Sequence, residues 1–159
     1  MKAITRILPW KVTLVFSLLL LPLLIAANFY GLYTDKFYFL KPDNYIFPLL
    51  SIFHFVFLYA LWFKISENEF ADIQMRNIEY ALYFVLFIYL FKLLDSVTIL
   101  VSKNQYTDYI FPENFTTYGI ILISSYAFLI VLTLVAFMHR KTKVGNYQFD
   151  YIGENIDSM

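Results

Sequence analysis

No cysteine occurs among the 159 residues. That excludes thiol redox relays, iron–sulfur ligation and thiolate zinc sites by inventory. Charge is scarce as well: 15% of residues are charged, where ordinary soluble domains sit near 25%. Twelve basic and twelve acidic side chains cancel, so no overall field draws in nucleic acid. No basic stretch is interleaved with aromatics as in single-strand binders, and nucleic acid is not an expected partner. Glycine is rare, four in all, and no G-x-x-x-G occurs, so the usual small-residue route to close helix packing in lipid is missing. Nucleophile elbow, phosphate-binding loop and metal-ligand spacing are absent from the sequence too.

What remains is apolar: 60% of the residues are hydrophobic and 21% aromatic, which makes lipid the expected solvent. Crossing ~30 Å of hydrocarbon takes about 20 apolar residues as helix. Four segments meet that length, at about 12–30, 45–63, 80–100 and 118–138. Helix is the default because an open strand in lipid leaves its backbone groups unpaired. The fold class expected is therefore an all-α integral membrane protein, four transmembrane helices in an antiparallel bundle. Residues 1–143 form that domain and 144–159 a flexible cytoplasmic tail. The first segment, preceded by Lys2, Arg6 and Lys11, has the outline of a signal peptide. However, Leu24 and Ile25 occupy the places where a cleavage site needs small residues, so the helix is read as retained.

Orientation follows from Lys and Arg outside the spans. Lys2, Arg6, Lys11, Lys64, Arg76, Arg140, Lys141 and Lys143 lie on one side, and Lys36, Lys41 and Lys103 on the other. Both termini are thus expected in the cytoplasm. The Phe, Tyr, Ile, Lys and Asn bias fits a bacterium with an AT-rich genome and places the chain in the bacterial cytoplasmic (inner) membrane. In the loop "SENEFADIQMRN", Ser66 followed by Glu69 predicts a capping box at the start of the helix that leads into the third span. Asn114-Phe115-Thr116 has the form of a glycosylation acceptor but lies against the fourth span and is read as structural. Tyr147, Phe149 and Tyr151 alternate with polar neighbours, a strand-like period in a tail with no strand partner of its own.

The third span cannot avoid its charges. The apolar run from Tyr80 to Phe91 is roughly 18 Å of helix, too short to cross, so the span must take in Lys92 and Asp95. With a hydrocarbon core from Tyr80 to Ile99, Lys92 lies ~4 Å and Asp95 ~8 Å to the outer side of the midplane. They are three residues apart and able to pair. The same scale puts His54, Ser51, Asn28, Ser124 and Ser125 at the midplane or in the outer half of the other spans, with Tyr89 and Tyr126 as possible contributors. This set predicts an intramembrane polar cluster around His54, Lys92 and Asp95. An ionisable residue in a span costs at least ~2.5 kcal/mol unless paired or hydrated, which makes it a functional candidate. The competing reading is structural: a self-neutralising Lys–Asp pair, with Ser and His as interhelical glue. His139 is roughly 17 Å in depth from His54, too far for both to hold one haem, and neither cofactor nor metal is expected.

The expectation for function is a non-enzymatic accessory, assembly, immunity or effector subunit acting through helix–helix contacts. Its partners would be the lipid bilayer and another membrane protein or a second copy of the chain. The alternative is a channel or proton-coupled transporter whose path uses His54, Lys92 and Asp95. An intramembrane enzyme with Asp95 and His54 as acid and base is the least supported.

Overall fold

Four helices long and apolar enough to cross a membrane dominate the computed structural model, which describes residues 8–105 and 110–147. Helix α1 is Trp10–Asn28. Pro22 lies inside it, on the exposed side. A short hairpin follows, β1 (Tyr30–Gly31) antiparallel to β2 (Lys36–Phe37). Its turn needs a positive φ of 53° at Asp35, whose N–H donates to the Gly31 carbonyl at 3.0 Å. Gly31 has no room for a side chain, since a Cβ there would sit 2.6 Å from Tyr38 Cε2. A 3₁₀ turn, Pro42–Tyr45, leads into α2, Ile46–Ser66. Helix α3 is Ile73–Ser102, and α4 is Phe115–His139, continued by a π-helical turn over Arg140–Val144.

The expected spans match these helices within a few residues at most ends, but the helix after the 66–72 loop begins differently from the capping-box prediction. Ser66 closes α2, and Glu69 turns back to Lys64 at 2.7 Å. Asp72 takes the capping position: its Oδ1 accepts the Met75 N–H at 2.8 Å. The Lys64 ammonium also reaches Asp72 Oδ2 at 3.0 Å. A carboxylate at the N-terminus meets both an orphan amide and the positive helix end, which is why it displaces the serine. Burial raises the Asp72 carboxyl, yet the Met75 amide and the Lys64 ammonium outweigh it and hold the group below its ordinary value.

Packing pairs α1 with α2 and α4, and α3 with α2 and α4. Each helix buries one stripe at three- and four-residue spacing: Leu14, Leu21 and Leu24 on α1; Phe47, Phe57, Leu58 and Leu61 on α2; Met75, Leu82, Val85 and Tyr89 on α3; Tyr126, Leu129 and Ala136 on α4. In lipid the outer faces are as well solvated as the inner ones, so packing density and internal hydrogen bonds decide this arrangement rather than transfer from water. Close approach is achieved once without a glycine motif. At Gly119 an added Cβ would come within 2.9 Å of Leu100 Cδ1, so α3 and α4 meet tightly there.

Candidate functional site

Polar groups collect at two levels. The first is a cleft of about 410 Å³ on the side of the 29–45 loop, lined by Asn28, Tyr38, Lys41, Asn44, Lys92, Asp95, Ser96 and Tyr126 with apolar Leu32, Ile99 and Leu122. Its walls are tied together from within. Asn28 Nδ2 donates to the Asn44 carbonyl at 2.5 Å, and Asn44 Nδ2 donates to the Tyr38 carbonyl at 2.9 Å. Ser96 donates to the Lys92 carbonyl. Lys92 is half-buried and Asp95 exposed. The two share the cleft but form no ion pair with each other among the described residues. The pairing that their spacing suggests is therefore not made.

Deeper, Phe47, Tyr89 and Tyr126 pack ring against ring, with centroids 5.5 and 5.8 Å from Phe47. His54 is fully buried and lies 3.1 Å from the Tyr89 hydroxyl through Nδ1. Its Nε2 has no hydrogen-bond partner among the described residues. Ser51, one turn away, is buried and donates back to the Phe47 carbonyl at 2.8 Å. The proposed cluster thus separates into parts. Asn28, Lys92 and Asp95 line the cleft; Ser51 and His54 lie beneath it, outside its lining. Ser124 is exposed on α4, Ser125 is half-buried, and neither lines the cleft. Below His54 the interior is mostly apolar, with Leu58, Leu82, Leu129 and Leu132 buried; the buried polar side chains there include Thr13 and Thr133, both bonded back to their own helices, and Ser17.

The second level is a buried ion pair that the sequence reading did not single out. Arg140 meets Glu79 with both arms of its guanidinium, Nε to Oε2 at 2.5 Å and Nη2 to Oε1 at 2.7 Å. Tyr83 donates to Oε1 at 2.9 Å and Tyr147 to Oε2 at 2.5 Å. Arg140 also donates to the Gly145 carbonyl at 3.2 Å and stacks 4.5 Å over the Tyr147 ring. Tyr147 forms an isolated parallel bridge with Ala71. Burial and the Glu79 carboxylate push the Tyr147 phenol well above its ordinary value. Beside this group His139 Nε2 donates to the Leu8 carbonyl at 2.8 Å. The first residues of the expected tail are thus docked, while Phe149, Tyr151 and the rest of it, like Lys2 and Arg6, lie outside the described residues.

Glu79 was readable in principle, since it continues the stripe of Met75, Leu82 and Tyr89. Beginning the span at Tyr80 set it aside. Chemically, this second level is a clasp: every acceptor site of the carboxylate is engaged by the chain itself. The cleft is the opposite case, with an ammonium and a carboxylate left facing open space. A comparison of the chain with protein-family models, with curated proteins and with solved structures finds no match.

Proposed function

We propose that this is a non-enzymatic multi-pass membrane subunit, of accessory, assembly, immunity or effector type, that works through contacts between its helices and those of a partner. In this reading the four helices form an antiparallel bundle in a bacterial cytoplasmic membrane, with both termini inside. The gathering of Leu8, Ala71, Glu79, Arg140 and Tyr147 around one clasp supports such an arrangement.

One observation carries the partner reading. Helix α3 is 30 residues long, and only 17% of its apolar window is buried, against 28%, 33% and 39% for the others. Its uncovered side carries Tyr80, Phe84, Phe87, Phe91, Leu94, Thr98 and Val101, all exposed. These positions alternate in steps of four and three, the period of a left-handed coiled-coil seam. The seam runs for roughly 32 Å, about the thickness of the hydrocarbon. Five of its seven residues are large enough to act as knobs, and in lipid such interdigitation is what drives association.

Because the chain has no cysteine, single substitutions can test this cleanly. Phe84→Cys, Phe87→Cys and Phe91→Cys should give a discrete crosslinked species in native membranes, a dimer of the chain or an adduct with one other protein. Leu49→Cys and Val15→Cys, exposed on α2 and α1, should not. Uniform crosslinking, or none, would remove the reading.

The channel or transporter alternative draws support from the cleft and from His54 beneath it. The tightly packed, mostly apolar interior under His54 counts against a continuous path, so a pH-dependent flux that Asp95→Asn abolishes would be needed to restore it.

A further inference from the structure

We infer that the outer cleft is a binding site for a zwitterionic group, one that carries a primary ammonium together with a phosphate or carboxylate a few ångströms away. Lys92 and Asp95 are one turn apart on α3, a spacing at which opposite charges ordinarily meet. Here they stay apart, and both line the same space. Lys41 brings a second ammonium from the loop into the lining; Asp95, more strongly, and Lys41 both lie within electrostatic range of Lys92.

Tyr126 supplies an independent observation. It is 3% exposed, its ring is packed against Phe47, and it lines the cleft with no hydrogen bond from its hydroxyl among the described residues. The hydroxyl is not among the fully buried polar atoms left without a partner, so it borders the open space of the cleft and is free to bond a ligand there. The wall amides of Asn28 and Asn44 and the hydroxyls of Tyr30, Thr34, Tyr38 and Ser96 already donate within the chain. What the cleft chiefly offers a ligand is therefore two cations, Lys41 and Lys92, one anion, Asp95, and the Tyr126 hydroxyl.

That set selects the ligand class by its charges. A simple anion would satisfy the lysines but leave Asp95 opposing it, and a simple cation would meet two ammonium groups. A molecule carrying both charges satisfies all of them with charge-assisted hydrogen bonds. The volume of about 410 Å³ is in the range of small-molecule sites, and the apolar side chains of Leu32, Ile99 and Leu122 would accept the connecting carbons. Two sources present this chemistry: the headgroup of an ethanolamine phospholipid in the outer leaflet, and a free amino phosphate.

The test uses the full chain in nanodiscs, with retained ligands read by native mass spectrometry. In equal mixtures of phosphatidylethanolamine and phosphatidylglycerol, the wild type should retain the ethanolamine lipid about tenfold better, as expected for one charge-assisted hydrogen bond. Asp95→Asn should erase that preference while keeping phosphatidylglycerol, and Lys92→Met should weaken both lipids. Thermal midpoints identify any variant that fails to fold, and Lys92→Gln then replaces Lys92→Met. If the site serves a soluble ligand, O-phosphoethanolamine added to phosphatidylglycerol nanodiscs should be retained in an Asp95-dependent way without any lipid preference. Equal retention of the two lipids with no phosphoethanolamine adduct, or a preference that survives Asp95→Asn, would overturn the inference.

Discussion

Glu79 receives four hydrogen bonds, two from Arg140 and one each from Tyr83 and Tyr147, at a site that is 1% exposed. A carboxylate so placed is tolerable only while its partners stay. Removing one side leaves an uncompensated buried charge and costs about 3–5 kcal/mol, whereas removing both can be far milder. Glu79→Gln and Arg140→Met should each lower the thermal midpoint in detergent strongly, and the double variant should lose much less than the sum. Tyr147→Phe, which removes one bond to a charged acceptor, should cost about 1.5 kcal/mol. Strictly additive single losses would mean that the pair is not a unit. This clasp was hidden from a reading of hydropathy because Glu79 sits one residue before the apolar run and Arg140 just after another. Their meeting depends on which turns of α3 and α4 face each other. Lys92 and Asp95 show the reverse. Their presence in the span could be argued from length alone, but their failure to pair depends on side-chain directions that no spacing rule contains.

At the scale of elements, the four helices were legible because three apolar runs reach the length of a membrane crossing outright and the third span reaches it once Lys92 and Asp95 are taken in. Their ends were less so, since ends are set by single hydrogen bonds. The 66–72 loop makes the point: Ser66 and Glu69 have the spacing of a capping box, but Lys64 draws off Glu69 and Asp72 holds the Met75 amide. The hairpin of β1 and β2 was not foreseen either, because its strands are two residues long and rest on Asp35 at positive φ and on an unoccupied Cβ position at Gly31. The cap has a pH signature. Asp72 has a folded-state pKa below its ordinary value, so its contribution is complete above about pH 4, where the unfolded group is also ionised. It is lost as pH falls through the lower, folded value. Protection of the Met75 amide against hydrogen exchange should therefore drop on acidification in the wild type. Asp72→Asn retains an acceptor but cannot titrate, so its protection should be flat over the same range, and Asp72→Ala should lose about 1 kcal/mol at neutral pH. The same acid-side drop in the Asn variant would assign the effect to another group.

For the whole molecule, the two levels of polar groups differ in a way that bears on which end faces the cytoplasm. The clasp end carries Lys64, Arg76, Arg140, Lys141 and Lys143, and its buried charges are matched within the chain. The cleft end carries fewer basic residues, and the charges lining the cleft form no ion pair among the described residues. The positive-inside rule would make the clasp end cytoplasmic and open the cleft outward, which is also what a site for an outer-leaflet headgroup requires. Composition and charge counting were enough to propose this, because orientation is a property of loops and needs no side-chain geometry. Leu40, in the loop beside the cleft, is 98% exposed, and Lys143 is exposed beside the clasp. Leu40→Cys should therefore react with a membrane-impermeant maleimide applied to intact cells or right-side-out vesicles, and Lys143→Cys should react only after permeabilisation. The chain has no native thiol to blur the result. The reverse pattern would invert the molecule and place the cleft on the cytoplasmic side, where it would face the inner leaflet. The clasp would then sit outside, and the outward site proposed for Lys92 and Asp95 would lose its access. Labelling at both positions without permeabilisation would instead show that the termini and the cleft loop share a side, which four complete crossings do not allow.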